Sequence, residues 1–246
     1  MALPFEEKSN GLRMMPYILG EMIRHLAVRL VSTAGLVDML SKQNKESYNM
    51  ALIVQNERTI IVNAMILGIA FGAISIWLVL TIKGGSSALV TIAGILISLG
   101  LTQQIMSIAL DAVTISLNRY ISSWNSVLYE LAKRRETEEW RVIQNEAEEI
   151  FIFPQITYNL PSALAGVNSD SETIVGYLAE RRWELSYPQA NFYNDDKSLV
   201  SFAKYSVEFL RLKLHTYDKL STIQHRTGTV NPVLFVALGT LIWLLS

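Results

Sequence analysis

Cysteine is absent from the 246 residues. That excludes disulfides, thiolate metal sites and cysteine nucleophiles, and it leaves open which side of a membrane any part of the chain occupies. Charge is scarce as well: charged residues make up 17% of a chain that is 50% hydrophobic, where an ordinary soluble domain carries roughly 25%. The formal net charge is −1. A disordered chain would need low hydrophobicity and a high net charge, and a nucleic-acid-binding domain would show a basic excess. The sequence fits neither, and no nucleic-acid partner is expected.

The charge deficit is local. No charged residue falls between Arg58 and Lys83, which leaves the 24 residues Thr59 to Ile82, nor between Lys83 and Asp111, which leaves the 27 residues Gly84 to Leu110. At about 1.5 Å per helical residue, either stretch can cross a hydrocarbon core of roughly 30 Å. The short link Lys83-Gly84-Gly85-Ser86-Ser87 makes them an antiparallel helical hairpin. Thr227 to Ser246 is also uncharged. There Asn231 reads as an N-cap and Pro232 as a first-turn residue of a 14-residue helix to Leu245, about 21 Å long. It is a candidate third membrane segment, short for a full crossing.

No signal-peptide pattern stands at the start, where Glu6, Glu7, Lys8 and Arg13 interrupt any apolar run. Lys and Arg number 7 before the hairpin, one in its turn and 13 between the hairpin and Arg226. The positive-inside rule then puts both large polar segments in the cytoplasm and the Lys83 turn outside. The expected architecture is an all-α integral membrane protein of four regions: a cytoplasmic amphipathic N-terminal region (1–58), a transmembrane hairpin (59–110), a cytoplasmic helical bundle (111–226) and a C-terminal membrane segment (227–246). A bacterial inner membrane is the expected location, and the lipid bilayer the first partner.

Within the polar regions, Leu19, Met22, Ile23, Leu26 and Leu30 recur at three- and four-residue spacing, the mark of an amphipathic helix over 14–58. It lies on the membrane surface or packs on the later helices. From Glu46 it is expected to run unbroken into the first span. Asp111 to Glu149 lacks Pro and Gly and reads as helix, with the run Lys133 to Glu139 as its solvated face and Arg134/Glu138 as a spaced pair. Pro154 and Pro161 break the helix, and Phe151, Phe153 and Tyr158 mark an extended piece against a neighbour or an aromatic interface anchor. Ser169 with Glu172 forms a capping box for a short helix to about Leu185. Asn194-Asp195-Asp196 starts the last helix, with Leu199, Phe202, Phe209, Leu210, Leu214 and Leu220 on one side.

The chain carries no GxxxxGK[ST], GxSxG, HExxH or CxxC. His25, His215 and His225 have no mutual ligand spacing. Glu136/Glu139 and Glu146/Glu149 place two carboxylates on one helix face, without the Glu-x-x-His step of a di-metal site. The spans hold Asn63, Gln103 and Gln104 but no ionisable group. No enzyme, metal or cofactor is expected.

The informative residues lie inside the spans. Ala64, Gly68, Gly72 and Ser75 follow one another at helix-packing spacing, and Gly68-x-x-x-Gly72 permits close approach where lipid supplies no hydrophobic drive. Ser87, Thr91, Gly94, Ser98 and Thr102 form a small, polar face in the second span. Either the small residues of the two stripes face each other and pack the hairpin internally, or one stripe packs the hairpin and the other faces copies in a homo-oligomer or other membrane subunits. With Gln103 and Gln104 it could line a lumen, since amides and hydroxyls at that depth need partners or water.

The order of amphipathic N-terminal helix, two-span hairpin and long charged helix, together with Gly68-x-x-x-Gly72 and the short turn at Lys83, resembles the two-transmembrane effectors of bacterial antiphage systems. These include SLATT-type effectors and the transmembrane effectors of retron and cyclic-pyrimidine systems. The resemblance covers residues 14 to 145; the third apolar stretch and the C-terminal part depart from it. It implies a protein that oligomerises and breaches the inner membrane once activated. A non-catalytic accessory or scaffold subunit of a larger membrane complex is the other class the sequence fits.

Overall fold

The computed structural model describes residues 46–82, 87–152, 156–161, 164, 170–187, 195–228 and 231–246. The amphipathic pattern before residue 46, Phe153 and Ser169 lie outside the described residues. The described residues are helical, with no strand among them, in the order α1 (Glu46–Gln55), α2 (Glu57–Ile82), α3 (Ala88–Lys133), α4 (Glu138–Phe151), α5 (Ser171–Arg181), a 3₁₀ turn (Arg182–Leu185), α6 (Asp196–Gly228) and α7 (Pro232–Leu245). Residues Met50–Ser246 form one compact unit.

The backbone of the architecture is α3, 46 residues long and about 69 Å from end to end. Ser87 caps its N-terminus, accepting from the Val90 amide at 3.2 Å. Its first half packs between α2 and α7. Its second half is the centre of a bundle with α4, α5 and α6, where Leu117, Tyr120, Ile121, Trp124, Leu128 and Leu131 of α3 are buried, as are Trp140, Ile143, Leu178, Phe202 and Leu210 of the other three helices. Among the described residues, three helical stretches are long and apolar enough to cross a membrane: α2, α3 and Asp196–Leu245, which contains α7.

Helix starts follow local chemistry closely. Asn231 accepts from the Val233 amide at 3.0 Å with Pro232 in the first turn. Asp195 accepts from the Lys197 amide and the Ser198 hydroxyl to start α6. The cap of α5 is Asp170 rather than Ser169: its carboxylate accepts from the Thr173 amide at 2.9 Å and the Thr173 hydroxyl at 2.6 Å. These bonds hold the Asp170 pKa below the ordinary carboxylate value.

Two expected helices are broken. The helix from Glu46 stops at Gln55, and Asn56 bends the chain before α2 begins. The expected helix over 111–149 breaks at 134–137, because the Arg134 and Arg135 amides turn back to Leu131 and Ala132 oxygens at 3.2 and 3.1 Å. The charged run is therefore a corner. Arg134 pairs with Glu130 at 3.7 Å, Arg135 with Asp196, and Glu138 with Arg141 at 3.0 Å, so the expected Arg134/Glu138 pair does not form. Beyond α4 the extended residues 156–161 lie along α3: Ser122 donates to the Thr157 oxygen, and the Asn159 amide donates to Ser126 Oγ at 3.0 Å. Tyr129, Phe151 and Tyr158 form a ring cluster with centroids 5.5 to 6.1 Å apart. Of the two readings offered for this segment, the structure places it against a neighbouring helix.

Candidate functional site: the apolar helix contacts and the clamp at the α1–α2 bend

Glycine sets how closely the apolar helices approach. Gly68, Gly72 and Ala64 are buried on the face of α2 that meets α3. Thr102 Oγ1 donates to the Gly68 oxygen at 2.9 Å, and a Cβ placed on Gly68 would lie 2.9 Å from Thr102 Cγ2. Gly72 stands over Ser98, and Gly94 over Ile76 and Val79. The pairs run 68 with 102, 72 with 98 and 76 with 94, so numbering rises along α2 as it falls along α3. Ser75 donates to its own helix, at the Phe71 oxygen, at 2.8 Å.

The small-and-polar face expected on α3 divides into four roles. Gly94, Ser98 and Thr102 meet α2. Ser87 caps the helix, and Thr91 donates to the Ser87 oxygen at 3.3 Å. Gln103 reaches α6, donating from Nε2 to the Thr227 oxygen at 2.9 Å. Gln104 points outward and is exposed. Sequence reasoning missed a second glycine contact. A Cβ on Gly100 would lie 2.8 Å from the Pro232 oxygen, and one on Gly239 would lie 2.8 Å from the Ala93 oxygen. Backbone therefore touches backbone where α3 meets α7. Gly100 stands six residues from Gly94, and Gly239 is the one glycine of α7, so no i, i+4 repeat announces the pair; the only signal was a glycine inside an otherwise bulky apolar run.

At the N-terminal end of α2 the α1–α2 bend is held from two sides. Lys213 of α6 donates to the Val54 oxygen at 2.9 Å and to Glu57 Oε1 at 3.1 Å. A cation thus sits on the negative end of α1 while its partner carboxylate occupies the positive end of α2. The pair is largely buried, and Glu57 Oε2 has no hydrogen-bond partner. From the other side, Gln55 Nε2 donates to the Glu184 backbone oxygen at 3.0 Å.

Glu184 anchors a second buried group. Only 2% exposed, it accepts from Arg181 Nε at 2.7 Å, Arg181 Nη2 at 2.8 Å and Trp124 Nε1 at 2.9 Å. The Arg181 guanidinium lies 5.0 Å from the Trp124 ring centroid and 5.1 Å from that of Tyr177. Burial alone would lower the Arg181 pKa; the hydrogen bonds and charge of Glu184 outweigh it and raise the pKa above the ordinary arginine value. The chain Trp124–Glu184–Gln55 thus joins the bundle core to the bend beneath α2.

No protein-family model, curated protein or solved structure matches the chain. Of the paired carboxylates, Glu146 and Glu149 both face Arg211, at 4.0 and 2.7 Å, and so serve as an ion-pair face between α4 and α6. Among the described residues no three His, Asp or Glu side chains converge on one point.

Proposed function

We propose that the chain is an integral membrane protein in which α2 and α3 form an antiparallel transmembrane hairpin, α7 is a third membrane helix beside α3, and the bundle with the N-terminal region faces the cytoplasm of a bacterial inner membrane. It self-associates, and the assembly permeabilises or conducts across that membrane. The observation that carries this reading is Gln104, an amide exposed on the outside of α3 within the 27-residue uncharged stretch. An amide in hydrocarbon is costly without a partner, and a second copy supplies one because an amide both donates and accepts. Since α2 and α7 each pack on α3 through glycine, any conducting path runs between copies. The resemblance to antiphage effectors makes triggered toxicity the phenotype to measure. The test is inducible expression with a membrane-potential dye. Depolarisation with native sequence, reduced by Gln104→Leu, supports the reading; normal potential and growth with well-inserted protein overturn it.

A second reading, a non-catalytic accessory or scaffold subunit, is favoured by the occupation of both glycine faces within one chain. Co-purification with other chains at fixed stoichiometry, instead of a ring of identical copies by native mass spectrometry, selects it.

A further inference from the structure

The bend between α1 and α2 is narrow. The Asn56 amide still donates into α1, to the Leu52 oxygen at 3.0 Å and the Ile53 oxygen at 3.2 Å, and the Ile60 amide already donates to the Asn56 oxygen at 3.0 Å. Between them, the helical bonds from the Glu57, Arg58 and Thr59 amides to the Ile53, Val54 and Gln55 oxygens are missing. The local sequence does not ask for this break. Residues 50–67 contain neither Gly nor Pro, the two residues least compatible with a helix interior.

Two contacts from far along the chain stand in for the missing bonds. Lys213 Nζ takes the Val54 oxygen at 2.9 Å, the acceptor that the Arg58 amide would use in a continuous helix, and holds Glu57 Oε1 at 3.1 Å. Gln55 Nε2 donates to the Glu184 backbone oxygen at 3.0 Å, and the Glu184 side chain is fixed by Arg181 of α5 and Trp124 of α3. The bent arrangement also carries a cost. Glu57 Oε2 is buried without a hydrogen-bond partner, and an unpaired buried oxygen opposes the state that buries it. A straight helix would regain the three backbone bonds and let that oxygen reach water.

We propose that residues 50–82 are a conformational switch. They are bent while Lys213 and the Glu184 oxygen hold the junction, and continuous when a rearrangement of α5 or α6 lets go. The bundle thereby sets the angle between α1 and α2 through two discrete arrangements of one element. The switch does not depend on α2 crossing a membrane, so its failure leaves the membrane reading intact. Amide hydrogen exchange of the full chain in detergent, resolved to single residues, tests it. The Glu57, Arg58 and Thr59 amides should exchange fast in the native chain. Lys213→Met should slow all three several-fold, whereas simple loss of structure would not slow them. In that background Asn56→Ala, the better helix former, should slow them further and Asn56→Gly should restore fast exchange, a difference of about fivefold. The chain has no cysteine, so nitroxides on Met50→Cys and Ile69→Cys, the latter an exposed position, report the shape. Their separation should lengthen on Lys213→Met toward about 28 Å, the rise of a straight helix. Unchanged or faster exchange at the three amides, or a separation that does not grow, overturns the switch. If Lys213→Met loosens the core, seen as faster exchange at Leu128, Gln55→Ala with Asn56→Ala decides by the same two readings.

Discussion

The two halves of α3 are one uninterrupted helix with opposite packing rules. In the first half small residues, Ala93, Gly94, Ser98 and Gly100, make the closest approaches to neighbouring helices, with Val90 and Ile97 beside them, while Leu89, Ile92, Ile95 and Leu99 are left outside. In the second half the order inverts: Leu117, Trp124, Leu128 and Leu131 are turned inward, and Arg119 is exposed. Water explains the second half, because burial of large apolar groups supplies its stability. In the first half, close backbone contact and interhelical hydrogen bonds do the packing, the pattern that the proposed membrane span calls for. The same residue type therefore has a different worth a few turns along one helix.

Pairing like substitutions across the halves is the sharpest way to break this comparison. Trp124→Ala should have the largest effect, about 3–5 kcal/mol, because it empties a core site and strips Glu184 and Arg181 of a partner; denaturant unfolding of the full chain in detergent measures it. Leu117→Ala should cost about 2–5 kcal/mol by the same measurement, whereas Leu99→Ala, on the outward face of the first half, should stay within about 0.5 kcal/mol. Equal losses for the two leucines would refute the division. Gly100→Ile or Gly239→Ile should cost about 1–3 kcal/mol through overpacking and free α7 from α3, read as faster proteolysis of the C-terminal segment. Breaking the clamp with Lys213→Met leaves a buried Glu57 carboxylate unpaired and should cost on the order of 2 kcal/mol. Adding Glu57→Gln should recover part of that loss; a double variant as unstable as the sum of the singles would remove the pair from the account.

The smallest expected effect is a pH dependence of the strap along α3. Burial, then the hydrogen bond to Glu130, raises the Tyr158 pKa above its ordinary 10.0. A raised pKa means the folded state favours the neutral phenol, so its stabilisation is complete below pH 10.0 and fades as pH rises beyond that toward the folded value. Tyr158→Phe should flatten that alkaline slope in a melting series; an unchanged slope would assign it elsewhere.

Much of this was legible in residue order. Uncharged runs marked α2 and α3, Asn231-Pro232 marked the start of α7, and Gly68 with Gly72 marked a close approach, because charge, caps and glycine act locally. The corrections share a cause. Nothing in the residues around Asn56 forbids a continuous helix; it ends there where Lys213, 159 residues from Val54, takes the Val54 oxygen. The run from Lys133 to Glu139 has helical charge spacing, yet Arg135 leaves it for Asp196, 61 residues away.

Charge content and pattern by themselves determined that this protein is helical and where its apolar lengths begin, since both are properties of consecutive residues. Only the tertiary structure decided which small residues meet α2, which meet α7 and which amide stays outside. It alone placed a lysine from α6 on the bend between α1 and α2. Those are matters of height and angle between helices, and they arise from contacts between residues far apart in the chain.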